Sequence, residues 1–318
     1  MKRNYNVIKS DVIDLDGTKL AKAGQEISPQ FLDELCKHRP PIREPKPIWD
    51  YPHLKDDFFE FCSIPPYNKI FETEYSRQDI ANLLSRAKLY SVVYDSLMYF
   101  REKDFYTYRH ILMVSALSTR LAHDCATLYR FSIEAATVTP SHDIGKTNIP
   151  LKILTKIESL TADEVRLVRE HTTAGFIILT YHLGEEDPRA CQVSYEHHEL
   201  MDGSGYPRKL RQTSELVQLV TVCDIFDALV MPRPYREKNY TVRAALDLIC
   251  NSAHFKKINW DFVKLLISYN RLGRPSSDKL IVSNQKREQE PIHNNYSMNQ
   301  ILTIKSRIKK KIRLPGID

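Results

Sequence analysis

Two short stretches of this 318-residue chain carry residue types suited to one job. His197 and His198 stand side by side and lead into Asp202-Gly203-Ser204-Gly205-Tyr206-Pro207, and well upstream lies His142-Asp143-Ile144-Gly145-Lys146. Imidazoles gain little by clustering unless a cation compensates the crowding of several desolvated nitrogens, so this concentration points to a metal. Of the eleven histidines, five fall where helices and their ends can converge: His110, His142, His171, His197 and His198. Asp143 and Asp224 complete a nitrogen and oxygen set without thiolate, which suits iron, manganese, nickel or zinc in a hydrolytic site and argues against a closed structural zinc.

Seven ligands exceed what one catalytic ion can use while still holding water and substrate. They divide between two, with His110, His142 and Asp224 for one ion, His171, His197 and His198 for the other, and Asp143 bridging through its two oxygens. Two ions about 3.5 to 4 Å apart hold a hydroxide between them, lower its pKa, and clamp a phosphodiester for in-line attack. Lys146, three residues after Asp143, is placed to reach a phosphate or to protonate a leaving oxygen. Arg233 and Arg236 are forked donors suited to phosphate or to a guanine edge. Tyr206 offers a ring to stack on a ligand, within a loop that Gly203, Gly205 and Pro207 shape. Asp202 and Asp227 lie near ligands but would overfill a metal shell, so they read as supporting groups. His123-Asp124 repeats the His-Asp pair without its Gly-Lys continuation and reads as a surface dipeptide. His38, His53, His182, His254 and His293 have no ligand-spaced companions.

His142-Asp143-Ile144-Gly145-Lys146 together with Gly205-Tyr206-Pro207 resembles the HD-GYP domain, a subgroup of the HD phosphohydrolases. The likeness runs from about residue 110 to 255 and takes in 156–164, His171 to Gly175, Cys223 to Leu229 and Arg233-Pro234-Tyr235-Arg236. It implies an all-helical bundle and hydrolysis of cyclic di-GMP, through the linear dinucleotide to GMP, at two or three metals, with iron or manganese as the cofactor. It also implies a cytoplasmic bacterial signalling enzyme whose candidate partners are a diguanylate cyclase or a second copy of the chain. Alternatives are a non-catalytic cyclic-dinucleotide receptor or interaction module, and a phosphodiesterase acting on another cyclic dinucleotide such as cyclic GMP-AMP. Three positions depart from the family pattern. Tyr106 stands where trinuclear members carry a glutamate, which implies two metals here. Pro140-Ser141 precedes the His-Asp pair and is expected to kink that helix and loosen His142. Met231-Pro232 replaces the usual polar pair before the Arg-Pro-Tyr-Arg stretch.

The elements that must position these groups read as mainly α. Residues 7–15 and 18–23 alternate around Asp16-Gly17 as a hairpin, and a short helix is expected from Ser28 with Pro29 in its first position. Residues 40–66 hold seven of the 17 prolines with several aromatics, which predicts an ordered, extended connector. Beyond Ser76 the three-and-four spacing of apolar residues predicts helices throughout. Thr161-Ala162-Asp163-Glu164 predicts a capping box opening a helix that carries His171 about ten residues in. Further helices are expected from Glu215 through Asp224 to Leu229 and from Thr241 to Cys250. The expected organisation is a small strand-and-helix module over 1–75, a metallophosphohydrolase domain over 76–270 and a basic tail over 271–318.

Composition narrows the remaining classes. The net charge of +6 belongs to the tail, where 11 Lys or Arg face 4 Asp or Glu, and the residues before it are close to neutral. Without aromatic interleaving or a nucleic-acid module, that charge reads as a solvated end rather than a nucleic-acid surface. No apolar stretch reaches the ~18 residues of a membrane span, so a soluble, cytoplasmic protein is expected. Six cysteines lie singly and read as reduced thiols.

Overall fold

A computed structural model describes residues 7–184, 186–232, 239–282 and 288. Arg233, Arg236 and nearly all of the basic tail beyond residue 282 lie outside the described residues. The fold is mainly α. At its N-terminal end β1 (Val12–Ile13) pairs antiparallel with β2 (Lys19–Ala21) across a turn in which Gly17 takes φ 89°, a left-handed conformation that favours glycine. Helix α1 (Pro29–Lys37) follows, capped by the Ser28 side chain accepting from the Phe31 N–H. The proline-rich stretch is less extended than expected. β3 (Lys46–Pro47) is extended, but α2 (Leu54–Cys62) and α3 (Tyr67–Ile70) are helical, because Leu54, Phe58, Phe61 and Cys62 fall on one buried face between the prolines.

Then come α4 (Glu74–Arg86), the short β4 (Lys88–Leu89) paired with β3, α5 (Ser91–Lys103) and α6 (Phe105–Asp124). α6 is the spine of the bundle, with fourteen of its residues buried and α5, α7 (Ser132–Val138) and α12 (Glu215–Val230) packed around it. Between α7 and α12 lie α8 (Leu151–Leu154), α9 (Ala162–Arg169), α10 (His171–Leu183) and α11 (Pro188–Glu196). α13 (Val242–His254), capped by Thr241, and α14 (Trp260–Tyr269) close the described chain against α12. One contact cluster of buried apolar residues runs from Ile8 to Tyr269, so the N-terminal hairpin and the bundle share a core, while Ile149, Ile153 and Val168 form a small separate cluster at α8 and α9. Among the described residues no helix is long and apolar enough to cross a membrane, and the six cysteines are free.

Two local departures bear on the site. The capping box at Thr161 is present, but α9 stops at Arg169 and His171 is the first residue of α10 rather than part of the same helix. The Glu170 N–H tightens onto the Leu167 carbonyl, and the Val168 carbonyl accepts the His171 Nδ1–H at 2.6 Å, so the side chain takes up an acceptor that helical continuation would use. At Pro140 the α7 helix gives way to a 3-10 turn over Thr139–Ser141, as the ring demands. This does not loosen His142, which is fully buried with its Nδ1 donating to the Thr139 carbonyl at 2.8 Å.

Candidate metal centre

Four of the five imidazoles are steered from behind. A backbone carbonyl only accepts, so the Nδ1 facing it must carry the proton, which leaves the Nε2 lone pair free. His142 Nδ1 donates to Thr139, His171 Nδ1 to Val168, and His197 Nδ1 lies 3.1 Å from the carbonyls of both Val193 and Ser194. His110 on α6 is held by a carboxylate instead, its Nδ1 lying 2.6 Å from Asp227 Oδ2. Asp227 in turn accepts the Tyr67 hydroxyl at 2.5 Å, so α3 and α12 together set the angle of a ring on α6.

The freed atoms converge. His110 Nε2 and His142 Nε2 are 3.5 Å apart, and His171 Nε2 and His197 Nε2 are 3.3 Å apart. Asp143 lies between the two groups. Its Oδ2 is 3.4 Å from His110 Nε2 and from His142 Nε2, while its Oδ1 is 3.4 Å from His171 Nε2 and 3.8 Å from His197 Nε2. Asp224 also spans them, with Oδ1 at 3.1 Å from His110 Nε2 and Oδ2 at 3.6 Å from His198 Nδ1. Two clusters result, His110, His142 and Asp224 in one and His171, His197 and His198 in the other, with the donor atoms of each within 4.8 Å of one another.

Lone pairs and carboxylate oxygens at these separations repel unless positive charge stands among them. Asp143 Oδ1 is buried and has no hydrogen-bond partner among the described residues. The donor set therefore fits divalent metal: nitrogen and carboxylate ligands in two groups, one shared carboxylate, outer nitrogens tied back to the protein.

The electrostatics agree. Burial pushes His171 down to about 4 and His198 down to about 3, and burial plus the neighbouring rings holds His197 well below its ordinary value. All three are neutral, ligand-ready imidazoles at neutral pH. His110 differs: burial opposes its charge, but Asp143, Asp224 and Asp227 together outweigh it and push it up to about 10, so without metal this ring is protonated and a bound cation would displace its Nε2 proton. Against the cost of burial, Lys146 and His142 hold Asp143 well below the usual carboxylate range, and His110 and His198 do the same for Asp224.

Lys146 sits in the 3-10 turn Ile144–Asn148, where residues three apart eclipse, and its Nζ donates to Asp143 Oδ2 at 2.5 Å. This turn packs directly on α10 because residue 145 is glycine: a Cβ there would fall on the His171 carbonyl and the Gly175 N–H. Gly205 works in the same way, since a Cβ would strike the backbone of His198, Glu199 and Leu200. That close approach lays Tyr206 flat on His198, ring centroids 4.8 Å apart at 24°. Glu199 pins the loop by accepting from the Arg208 and Leu210 N–H groups. Asp202 is a loop organiser that accepts from Ser204, and His123-Asp124 is tied up with Arg120 and Tyr269 away from the centre.

Two residues, Tyr67 and Arg169, had no distinguishing signal in the sequence, and Tyr106 stood out only as a departure from the family pattern. Tyr67 reaches Asp227 from far along the chain. Arg169 places its guanidinium 5.0 Å from the centroid of Tyr206, on the ring that covers His198. The Tyr106 and His110 ring centroids are 6.0 Å apart and the rings nearly parallel, with the Arg109 guanidinium 5.6 Å from the Tyr106 centroid.

Residues 92–257 match the model of the HD domain. The chain belongs to the HD domain family. It is 39% identical over 136 residues to a cyclic di-GMP phosphodiesterase of Thermotoga maritima, covering 42% of this chain and 37% of that one. It is 37% identical over 144 residues to a cyclic di-GMP phosphodiesterase of Pseudomonas aeruginosa, covering 45% and 34%. A 3'3'-cGAMP-specific phosphodiesterase of Vibrio cholerae is 30% identical over 173 residues, covering 54% and 38%. The chain thus spans under two fifths of the length of these curated relatives. In this HD domain the matched region contains both clusters, Lys146 and the Gly-Tyr-Pro loop.

Proposed function

We propose that this protein is a metal-dependent phosphodiesterase that hydrolyses cyclic di-GMP to the linear dinucleotide, GMP, or both. The observation that carries the reading is the convergence of imidazole lone pairs on the two oxygens of Asp143. His110, His142 and Asp224 would hold one ion and His171, His197 and His198 a second, with Asp143 shared; iron or manganese suits this donor set. Bound there, the pair of ions would supply Lewis acidity, activating water as the nucleophile and neutralising charge on the phosphodiester.

The chain's own residues do the rest. Asp143 joins the two halves of the site and anchors Lys146. Lys146 Nζ, buried beside that carboxylate, is positioned to contact a non-bridging phosphate oxygen and to return a proton to the leaving sugar oxygen. Tyr206, stacked on His198, presents its ring beside the centre to a base, and Arg169 brings a cation to that ring. Arg233 and Arg236, outside the described residues, are the proposed contacts to the second phosphate or a guanine edge. The three proposed units are a module over 1–75, the catalytic domain over 76–270 and the tail beyond.

The cGAMP-specific relative favours a second reading in which the same site acts on cyclic GMP-AMP, since base choice lies in the pocket and not in phosphodiester chemistry. Protein purified anaerobically and loaded with iron or manganese is expected to linearise cyclic di-GMP faster than cyclic GMP-AMP. Asp143→Ala is expected to abolish turnover, a loss of at least about 10³-fold, and to lower metal per chain measured by elemental analysis. Tight binding of cyclic di-GMP by calorimetry with no turnover under any metal would make the protein a receptor and sink the enzymatic reading.

A further inference from the structure

A second cavity lies away from the metal centre, where the N-terminal hairpin meets the bundle. It has a volume of about 280 Å³ and is walled by Asp14, Arg43, Tyr90, Asp95, Tyr181 and His182 among others. That volume approaches the lower end of small-ligand sites, about 300 Å³. Two features give it a sign. Its wall carries the carboxylates of Asp14, Asp16 and Asp95 against one guanidinium, Arg43. Asp14 is engaged by His182 Nε2 at 2.7 Å, whereas the carboxylate of Asp95, on the exposed side of the wall, makes no hydrogen bond or ion pair among the described residues. Partial burial, with the like charge of Asp14, raises the pKa of Asp95 in spite of Arg43 and His182. Tyr90 and Tyr181 supply aromatic faces in the same wall, and rings beside carboxylates are the lining that recognises organic cations.

The cavity is wired to the metal centre by the element that walls it. The Ile13 backbone, one residue before Asp14, is gripped by the Asn148 side chain in two hydrogen bonds, N–H to Oδ1 at 2.7 Å and carbonyl from Nδ2 at 3.0 Å. Asn148 ends the turn that carries Lys146. On the other wall, His182 lies on α10, the helix that opens with His171, and Lys9 reaches Glu170 at the head of that helix at 3.1 Å. Both walls thus connect to the metal centre, Asp14 through Ile13 to Asn148 and His182 through α10.

We propose that this cavity is a regulatory site for a small organic cation of the amine class, coupled through the Ile13–Asn148 clamp to the segment holding Asp143 and Lys146. The binding half stands on the cavity alone; the consequence for turnover rests on the phosphodiesterase reading.

The test titrates the full chain with 1,4-diaminobutane, with 1,4-butanediol and succinate as neutral and anionic counterparts of the same length. Calorimetry is expected to give saturable one-to-one binding of the diamine only. Asp95→Asn should weaken it about fivefold, the scale of one solvent-accessible ion pair, with circular dichroism unchanged, and Arg43→Ala should tighten it. Hydrogen–deuterium exchange should show residues 143–149 changing on diamine addition, and Asn148→Ala should abolish that change while leaving the diamine bound. Absence of saturable binding, equal binding of succinate or butanediol, or indifference to both Asp95→Asn and Arg43→Ala overturns the site. Binding without any change at 143–149 overturns the coupling. Because exchange is read without turnover, a chain that hydrolyses nothing still decides both halves.

Discussion

At the scale of single residues, the centre depends on groups that never touch a metal. Asp227 fixes the ring of His110 and is itself fixed by Tyr67. Asp227→Asn keeps the shape and removes the charge behind the imidazole, so metal affinity is expected to fall about 10- to 100-fold, measured by competition with a chromogenic chelator. Tyr67→Phe removes one hydrogen bond and should fall short of that loss in the same assay. Protonation supplies another prediction. The pKa of His171 is depressed from 6.5 to about 4 and that of His198 to about 3, so in the metal-free chain the unfolded state binds more protons between those values and 6.5. The stability these neutral rings contribute is present above pH 6.5 and is lost as pH falls through the window. His110, raised to about 10, contributes in the opposite sense, its share being present below pH 6.5 and lost as pH rises toward 10. Urea unfolding of chelator-treated protein should give lower stability at pH 4.5 than at pH 6.5. His171→Asn should flatten that slope, and an unchanged slope would contradict the assignment of burial as its cause.

At the scale of elements, the two halves of the donor set are brought together by contact between the Ile144–Asn148 turn and α10. That contact is backbone on backbone and exists only because position 145 has no Cβ. Gly145→Ala must push the turn off α10, which separates Asp143 from His171. The expected cost is about 3 kcal/mol, the upper end of overpacking penalties, in chemical denaturation of the metal-free protein, together with loss of bound metal. The helix starts were legible beforehand because capping is local: Ser28, Thr161 and Thr241 each accept an N–H three residues on. The end of α9 was not. Nothing between Thr161 and Gly175 breaks a helix by propensity, and the stop at Arg169 is decided by what the His171 ring bonds to once it faces the centre. The helical turns of 54–62 were likewise hidden, since flanking prolines dominate the composition while the apolar face emerges only against the bundle.

For the whole molecule, ligands drawn from α6, the turn after α7, α10, the end of α11 and α12 meet at one point. A metal bound there ties distant parts of the chain, and anything that binds only the folded state stabilises it by mass action. Chelation is expected to lower the thermal midpoint of the whole protein in a single transition, and manganese should restore it. At a free metal concentration about 100 times its dissociation constant, one site contributes about 2.7 kcal/mol. If chelation shifted only a sub-transition, the shared core from Ile8 to Tyr269 would not be behaving as one cooperative unit.

The seven candidate ligands, Lys146, the helical class and the N-terminal hairpin could all be named from residue type and spacing, because ligand chemistry, periodicity and capping are written locally. Tertiary structure decided what depends on residues far apart in the chain. It set which imidazole nitrogen faces inward, through carbonyls at Thr139, Val168 and Val193 and the carboxylate of Asp227. It brought Tyr67 behind Asp227, laid Arg169 over Tyr206, and set Asn148 against Ile13. Such pairings follow from how the helices pack, and packing is a property of the whole chain that no short stretch of it encodes.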